Sequence, residues 1–305
     1  MPRDALQAVL SSAAFKAMGV SNTVAVGEPD ALEPSVDIVR REIAAIDAAC
    51  SRFRADSELT AVNRSAGLGH VAISRLLAEA LEAAVRAAEM TAGLVDPTVG
   101  KNVEDIGYTT TFRAVPADGP PVEVSVRRVP GWHAVALDRA NRTVAIPHGV
   151  VLDLGASGKA WAADRCAQAV ADELGISVLV ECGGDIATRG GAEWPVRVAL
   201  DAHADEWQDV LVRDGGLATS GTTARRWRRG GVEIHDIIDP RTGSPVRTPW
   251  VMVTVAAASC LEANAAATAA LILGTQAIAW LDGCRLPARL VAMDGRVETA
   301  GGWAA

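Results

Sequence analysis

Cysteine and histidine are scarce in this chain of 305 residues, and neither is spaced for metal or disulfide chemistry. The five cysteines, Cys50, Cys166, Cys182, Cys260 and Cys284, are odd in number and form no C-x-x-C pair. That pattern argues against a disulfide framework or a zinc knuckle and for reduced, buried thiols. The five histidines contain no H-E-x-x-H and no other ligand spacing, which removes the usual zinc sites. No G-x-G-x-x-G follows a strand, so a dinucleotide fold of the Rossmann type lacks support. GASGK at 155–159 looks like the end of a phosphate-binding loop, but Asp153 stands at its first glycine and Ala160 at its Ser/Thr position. The same turn fails as a nucleophile elbow because Lys159 occupies the last glycine place. Positive charge is also in deficit: a net charge of −8 opposes general nucleic-acid binding. No window reads as a bilayer span, and residues 1–19 lack a basic segment followed by an apolar core, so a cytoplasmic location is expected.

What is present is a large apolar fraction, half the chain, enough for a sizeable core. The stretch 150–189 is the most structured in pattern. It reads as a strand, a tight turn at 153–158, a helix over 157–174 stopped by Gly175, and a second strand over 177–180 ending in Gly183-Gly184 and Asp185. Lys159 opens that helix, where a cation opposes the dipole unless an anion is shared with the helix N-terminus. Upstream, helical spacing marks 34–50, and a second amphipathic helix runs from a Ser74 cap to Gly93. Pro97 then holds Asp96 in an extended conformation. Four prolines over 113–131 indicate a surface excursion, and 134–137 with 143–146 suggest a hairpin. Downstream, 196–200, 208–212, part of 232–246 and 251–257 read as strands, and the segment 215–227 turns the chain at Gly215-Gly216. An alanine-rich helix spans 261–273, its alanines read as compositional bias. The basic run Arg225, Arg226, Arg228 and Arg229 has two readings, a solvated helix or turn face and a surface for phosphate or a partner.

The remaining candidates are acids and small polar residues at element ends: Asp96, Asp153, Asp185, Asp239, and the pair Asn264 and Thr268. The last two lie four apart on one helix face, where two hard oxygens can meet one cation. Equally, Thr268 can back-bond to its own helix while Asn264 solvates a turn.

Eight segments, AMGVSNTVAV, CSRFRADSELTAVN, GLVDPTVG, VVLDLGASGKAWAADR, VECGGDIATRG, LATSGTTARRW, HDIIDPRTGSPV and VTVAAASCLEANAAATAALILG, together resemble the FAD:protein FMN transferases, the ApbE-type flavin transferases, in order and spacing. The resemblance implies one α+β domain over 14–305 with a T-fold-like core of mixed or antiparallel sheets flanked by helices, preceded by an extension over 1–13. It implies FAD as substrate, Mg2+ on its pyrophosphate, and transfer of FMN to a Thr or Ser of a partner flavoprotein with release of AMP. Alternatives are FAD pyrophosphatase activity and an FAD-binding protein with weakened catalysis. By position, Met18, Phe53, Leu94, Val95, Asp96, Asp153, Lys159 and Ile238 are implied to contact FAD. The main-chain oxygen of Ala156 and the side chains of Asn264 and Thr268 are implied to hold the cation. Three positions depart from the family pattern. Phe53 stands where tyrosine is common, and Asn264 where aspartate is usual. Asp236 stands where a histidine precedes Ile-x-Asp-Pro, with His235 one residue earlier; Asp236 and His235 are therefore the candidates for activating the acceptor hydroxyl.

Overall fold

The computed structural model describes residues 10–122, 129–199 and 207–303. Its frame is an eight-stranded sheet whose strands lie in chain order and are antiparallel throughout: Ser11–Ala17, Val20–Val26, Val178–Cys182, Asp185–Arg189, Gly216–Gly221, Trp250–Ala257, Ala288–Ala292 and Val297–Ala300. The first strand begins at Ser11, ahead of the boundary expected at 14, and Ser11 pairs with Val26. Of the expected extension, 1–9 lies outside the described residues.

Alternation along the strands decides which layer covers each face. Val24, Val26, Val178, Val180, Ala187 and Ala218 point to one face, where the helices Leu32–Cys50 and Gly158–Leu174 pack. The helix Cys260–Leu273 continues that layer over Val253, Val255 and Leu290. Leu179, Ile186, Leu217 and Met252 point the other way, against the hairpin Trp194–Ala199/Trp207–Val212 and Trp303. A smaller sheet, Val71–Ala72 with Thr143–Ala145 and Ala136–Asp138, backs the helix Arg75–Met90 and shares a second core with residues 150–154. This is the α+β architecture expected, and the Ser74 cap and left-handed Gly175 stop fall where the sequence put them.

Several expectations are corrected. Residues 150–154 are extended but join no sheet. Their backbone groups are taken by a turn and a side chain instead: Gly100 N–H donates to the Val151 carbonyl, Asp153 N–H to the Pro97 carbonyl, and the Asn63 amide brackets Leu152. Within 215–227 the chain bends at 214–215, next to the expected turn, and Gly216–Gly221 then forms a central strand that the sequence reading did not mark. Its small residues admit the helix above: a Cβ on Gly216 would lie 2.2 Å from the Cys260 nitrogen. The alanines of that helix are a packing feature, since Ala263, Ala265, Ala266, Ala267, Ala269 and Ala270 are all buried on every side. The helical run Cys260–Cys284 is apolar and long enough to span a bilayer, contrary to the sequence reading, but two thirds of its tested window is buried. It is the core helix of this fold.

The arginine run is neither a helix nor a bare turn. Arg226–Arg229 forms a strand paired with Val232–His235, and Trp227 is buried with its Nε1 donating to the Ile106 carbonyl. Arg229 donates to the Ile106 and Gly107 carbonyls. Residues 123–128 of the expected excursion and residue 200 of an expected strand lie outside the described residues.

Candidate active site

The two glycine-containing turns of 150–189 meet. The first delivers Lys159 in the opening turn of the helix Gly158–Leu174; the second is a hairpin turn, with Gly183 and Gly184 both at positive φ, that starts the next strand with Asp185. Lys159 Nζ lies 2.6 Å from Asp185 Oδ2. Lys159 thus has an anionic partner within the protein. Asp185 is 2% exposed, and its Oδ1 accepts from Asn264 Nδ2 at 3.0 Å. Asn264 lies on the central helix one turn before Thr268, whose Oγ1 is 2.8 Å from Ser220 Oγ on the central strand. Thr268 thus turns toward the strand rather than back-bonding, and Asn264 is buried rather than solvating a turn.

Ala156 packs with Leu94, Val95, Ala265 and Ala269, beside the face carrying Asn264 and Thr268. The hairpin turn at Met18 and Gly19 lies at the same end as Gly183-Gly184, because Asn22 pairs with Cys182 and the Ser21 carbonyl accepts from Gly183 N–H. Asp153 closes its own turn by accepting from Gly155 N–H at 2.5 Å, and its other oxygen meets Arg52 Nε at 2.6 Å. The Arg52 guanidinium lies 4.1 Å from the centroid of the Phe53 ring and 4.8 Å from that of Tyr108, leaving Phe53 half-exposed. Ile238 is buried beside Tyr108 and Trp227.

Asp96 is committed elsewhere. Oδ1 accepts from Thr98 N–H and Oγ–H, and Oδ2 from Trp132 N–H, so the carboxylate ties 96–98 to 131–132. Asp239 likewise closes a turn with Arg241.

The two candidate bases differ sharply. His235 Nε2 lies 3.0 Å from the Val246 carbonyl and its Nδ1 is 3.3 Å from Ile237 N–H, so both ring nitrogens serve the backbone. This arrangement fixes the neutral ring, donating through Nε2 and accepting through Nδ1. Burial lowers its pKa, against the opposing pull of the Val246 carbonyl and Asp236. The carboxylate of Asp236 meets Arg225 Nη1 at 3.0 Å through Oδ2. No described group donates to its Oδ1. Burial would pull the Arg225 guanidinium down, but Asp236, Tyr108 and Asp185 outweigh it and hold it above its ordinary value. The Tyr108 phenol is raised by burial, opposed by Arg225 and Arg52 and reinforced by Asp236 and Asp153. These mutual influences gather Asp153, Arg52, Tyr108, Arg225, Asp236 and Asp185 about one region.

Of the residues singled out from sequence, Lys159, Asn264, Thr268, Ala156, Leu94 and Val95 converge, with Met18 at the same sheet end and Asp153, Phe53, Ile238 and Asp236 grouped through Tyr108. His235 is adjacent but turned to the backbone. Arg52, Tyr108, Ser220 and the pairing of Lys159 with Asp185 are not among the sequence candidates, whereas Arg225 belongs to the basic run read there as a solvated face or a phosphate or partner surface. The one available signal was local: Arg52 precedes Phe53, and Tyr108 is the sole tyrosine.

Because His235 is held neutral, protonating it in the folded state is unfavourable. Stability from this group is complete above its unfolded pKa of about 6.5 and is lost as pH falls below that value toward the lowered folded pKa. His235→Gln is expected to reduce the loss of stability between pH 7 and pH 5 in urea unfolding. An unchanged pH slope would contradict this account.

Among the described residues no cluster of three or more His, Cys, Asp or Glu could hold a metal. The oxygens at hand suit a hard cation instead, and one is conspicuous: Asn264 Oδ1 is buried with no hydrogen-bond partner. The residues present therefore fit a cation that is completed by other oxygen ligands.

The ApbE family model matches residues 18–290. An FAD:protein FMN transferase of Treponema pallidum is 34% identical over 248 residues, covering 73% of this chain and 67% of that one. One from Salmonella typhimurium is 29% identical over 250 residues, covering 78% and 71%. Among solved structures, the ApbE protein of Thermotoga maritima superposes with a TM-score of 0.83 at 25% identity, covering 95% and 97% of the two chains. The flavin transferase ApbE of Vibrio cholerae gives 0.76 at 25% identity, covering 95% and 96%.

Proposed function

The chain belongs to the ApbE family, and from that premise we propose that it is an FAD:protein FMN transferase using a divalent cation, magnesium, and a Thr or Ser hydroxyl of a partner flavoprotein as acceptor. The acceptor oxygen attacks the FMN-side phosphorus, the bond to the AMP phosphate oxygen breaks, AMP leaves with that electron pair, and the acceptor keeps FMN as a phosphoester. Asp236 takes the hydroxyl proton. The observation that carries this reading is the convergence of Lys159, the unpartnered Asn264 Oδ1 and Thr268 beside the Asp153 turn.

Phosphoryl transfer asks the protein mainly for positioning and charge neutralisation. Lys159 supplies a cation at a helix N-terminus, where phosphate oxygens are already favoured. Arg52 and Arg225 add charge around Asp153 and Asp236. Phe53, half-exposed and backed by Tyr108, offers its ring to a flavin or adenine. Asn264 Oδ1, Thr268 Oγ1 and the Ala156 carbonyl would hold the cation, which supplies charge neutralisation at the phosphates when bound. Asp236, with Oδ2 on Arg225, keeps Oδ1 for the acceptor proton.

No carboxylate is among those three cation ligands, so the phosphates must contribute much of the affinity. Glu262 does not substitute, since it is bound to Arg86. Magnesium binding is therefore expected to depend strongly on bound FAD; tight calorimetric binding to the FAD-free protein would contradict this. Incubation with FAD and Mg2+, with and without an acceptor flavoprotein, tests the function. AMP release that requires the acceptor supports transfer, whereas FMN and AMP formed without it indicate pyrophosphatase activity.

A further inference from the structure

Asn264 is a side chain whose orientation is dictated from outside its helix. Its neighbour Asp185 is a buried carboxylate paired with Lys159 at 2.6 Å, and a carboxylate in that pairing accepts hydrogen bonds. The Asn264 amide must therefore present Nδ2 to Asp185 Oδ1, at 3.0 Å. Its Oδ1 is consequently turned away from Asp185 and left buried without a partner. A buried carbonyl oxygen in that state is costly unless something electropositive meets it. On the same helix face, one turn on, stands the hydroxyl of Thr268.

From this geometry we infer that Asp185 is the positioning residue of the cation site: it fixes the Asn264 carbonyl toward the cation and places a buried carboxylate beside it. The inference rests on the cation reading above. Asp185 acts through Asn264 and through its field, and Lys159 balances its charge while the phosphates are absent. The Asp185, Lys159 and Asn264 group is then neutral, consistent with a cation that enters with FAD. Nothing else among the described contacts sets the Asn264 orientation, so the swap of acid and amide between 185 and 264 is the informative change.

The test is calorimetric titration of MgCl2 into the FAD-saturated full chain, with FAD affinity and the melting temperature of the FAD-free protein measured alongside. D185N is expected to weaken Mg2+ binding at least tenfold, because an amide at 185 both donates and accepts and no longer dictates the Asn264 rotamer. The D185N/N264D double variant restores one acid facing one amide and is expected to return Mg2+ affinity to within about threefold of the parent. A D185N protein that binds Mg2+ within twofold of the parent, or a double variant as weak as D185N, overturns the inference. Should D185N not fold, N264D decides: it sets two carboxylates against each other, so Mg2+ alone must raise its melting temperature more than the parent's, and equal shifts overturn the inference. A parent that binds no Mg2+ even with FAD overturns the cation reading itself, and this inference with it. That outcome is distinct from a parent that binds while the variants do not differ.

Discussion

Asp236→Asn is expected to lower FMN transfer at least a hundredfold while leaving FAD affinity within a few-fold of the parent. The substitution keeps the size of the side chain and an oxygen for Arg225, which lies 3.0 Å from the carboxylate. What it removes is the capacity to take a proton. Positioned general bases contribute roughly 10²–10⁴-fold, and the other candidate, His235, has both nitrogens engaged by backbone groups. The residues assigned to the phosphates, Lys159 and the Asp153 turn, are untouched, which is why binding persists. Measuring transfer and FAD affinity on the same preparation checks both halves. Transfer within threefold of the parent would remove Asp236 from the role of base.

Lys159→Ala is expected to damage both the fold and the site, and the two effects are separable. The substitution leaves the buried Asp185 carboxylate with only the Asn264 amide as partner. Breaking a buried pair by removing one partner costs about 3 kcal/mol or more. The same substitution takes away the cation at the helix start, so FAD affinity should drop at least tenfold. Adding Asp185→Asn removes the stranded charge and should recover most of the stability lost in urea unfolding, but not the FAD affinity. If the double variant regained FAD binding along with stability, Lys159 would be a structural residue only.

Residues with local signals were legible in the sequence. Ser74 and Gly175 announce helix ends through capping chemistry that needs no distant partner. Lys159 was conspicuous because a cation at a helix start requires an anion. Its partner in the protein, Asp185, is 26 residues away across a hairpin, and spacing alone did not pair them. Gly216–Gly221 carries no strand pattern because glycine and alanine are weak strand formers; their small size admits a helix, a reason visible only once that helix is in place. Residues 150–154 looked like a strand because apolar character marks burial, while sheet membership depends on a neighbour that the Pro97–Gly100 turn displaces. The Arg52 contact with Asp153 and the Arg225 contact with Asp236 join segments by tertiary folding, which no local pattern announces. The proposed cation position gave a weaker sequence signal still: Asn264 is meaningful only because Asp185 faces it.

The central claim is that FMN passes from FAD to a protein hydroxyl. The most direct test is intact-mass and peptide mass spectrometry of candidate flavoproteins after incubation with this chain, FAD and Mg2+. The account predicts an FMN adduct on one Thr or Ser, formed together with AMP and absent when Asp236→Asn replaces the parent. FAD cleaved to free FMN and AMP with no adduct on any acceptor would contradict it.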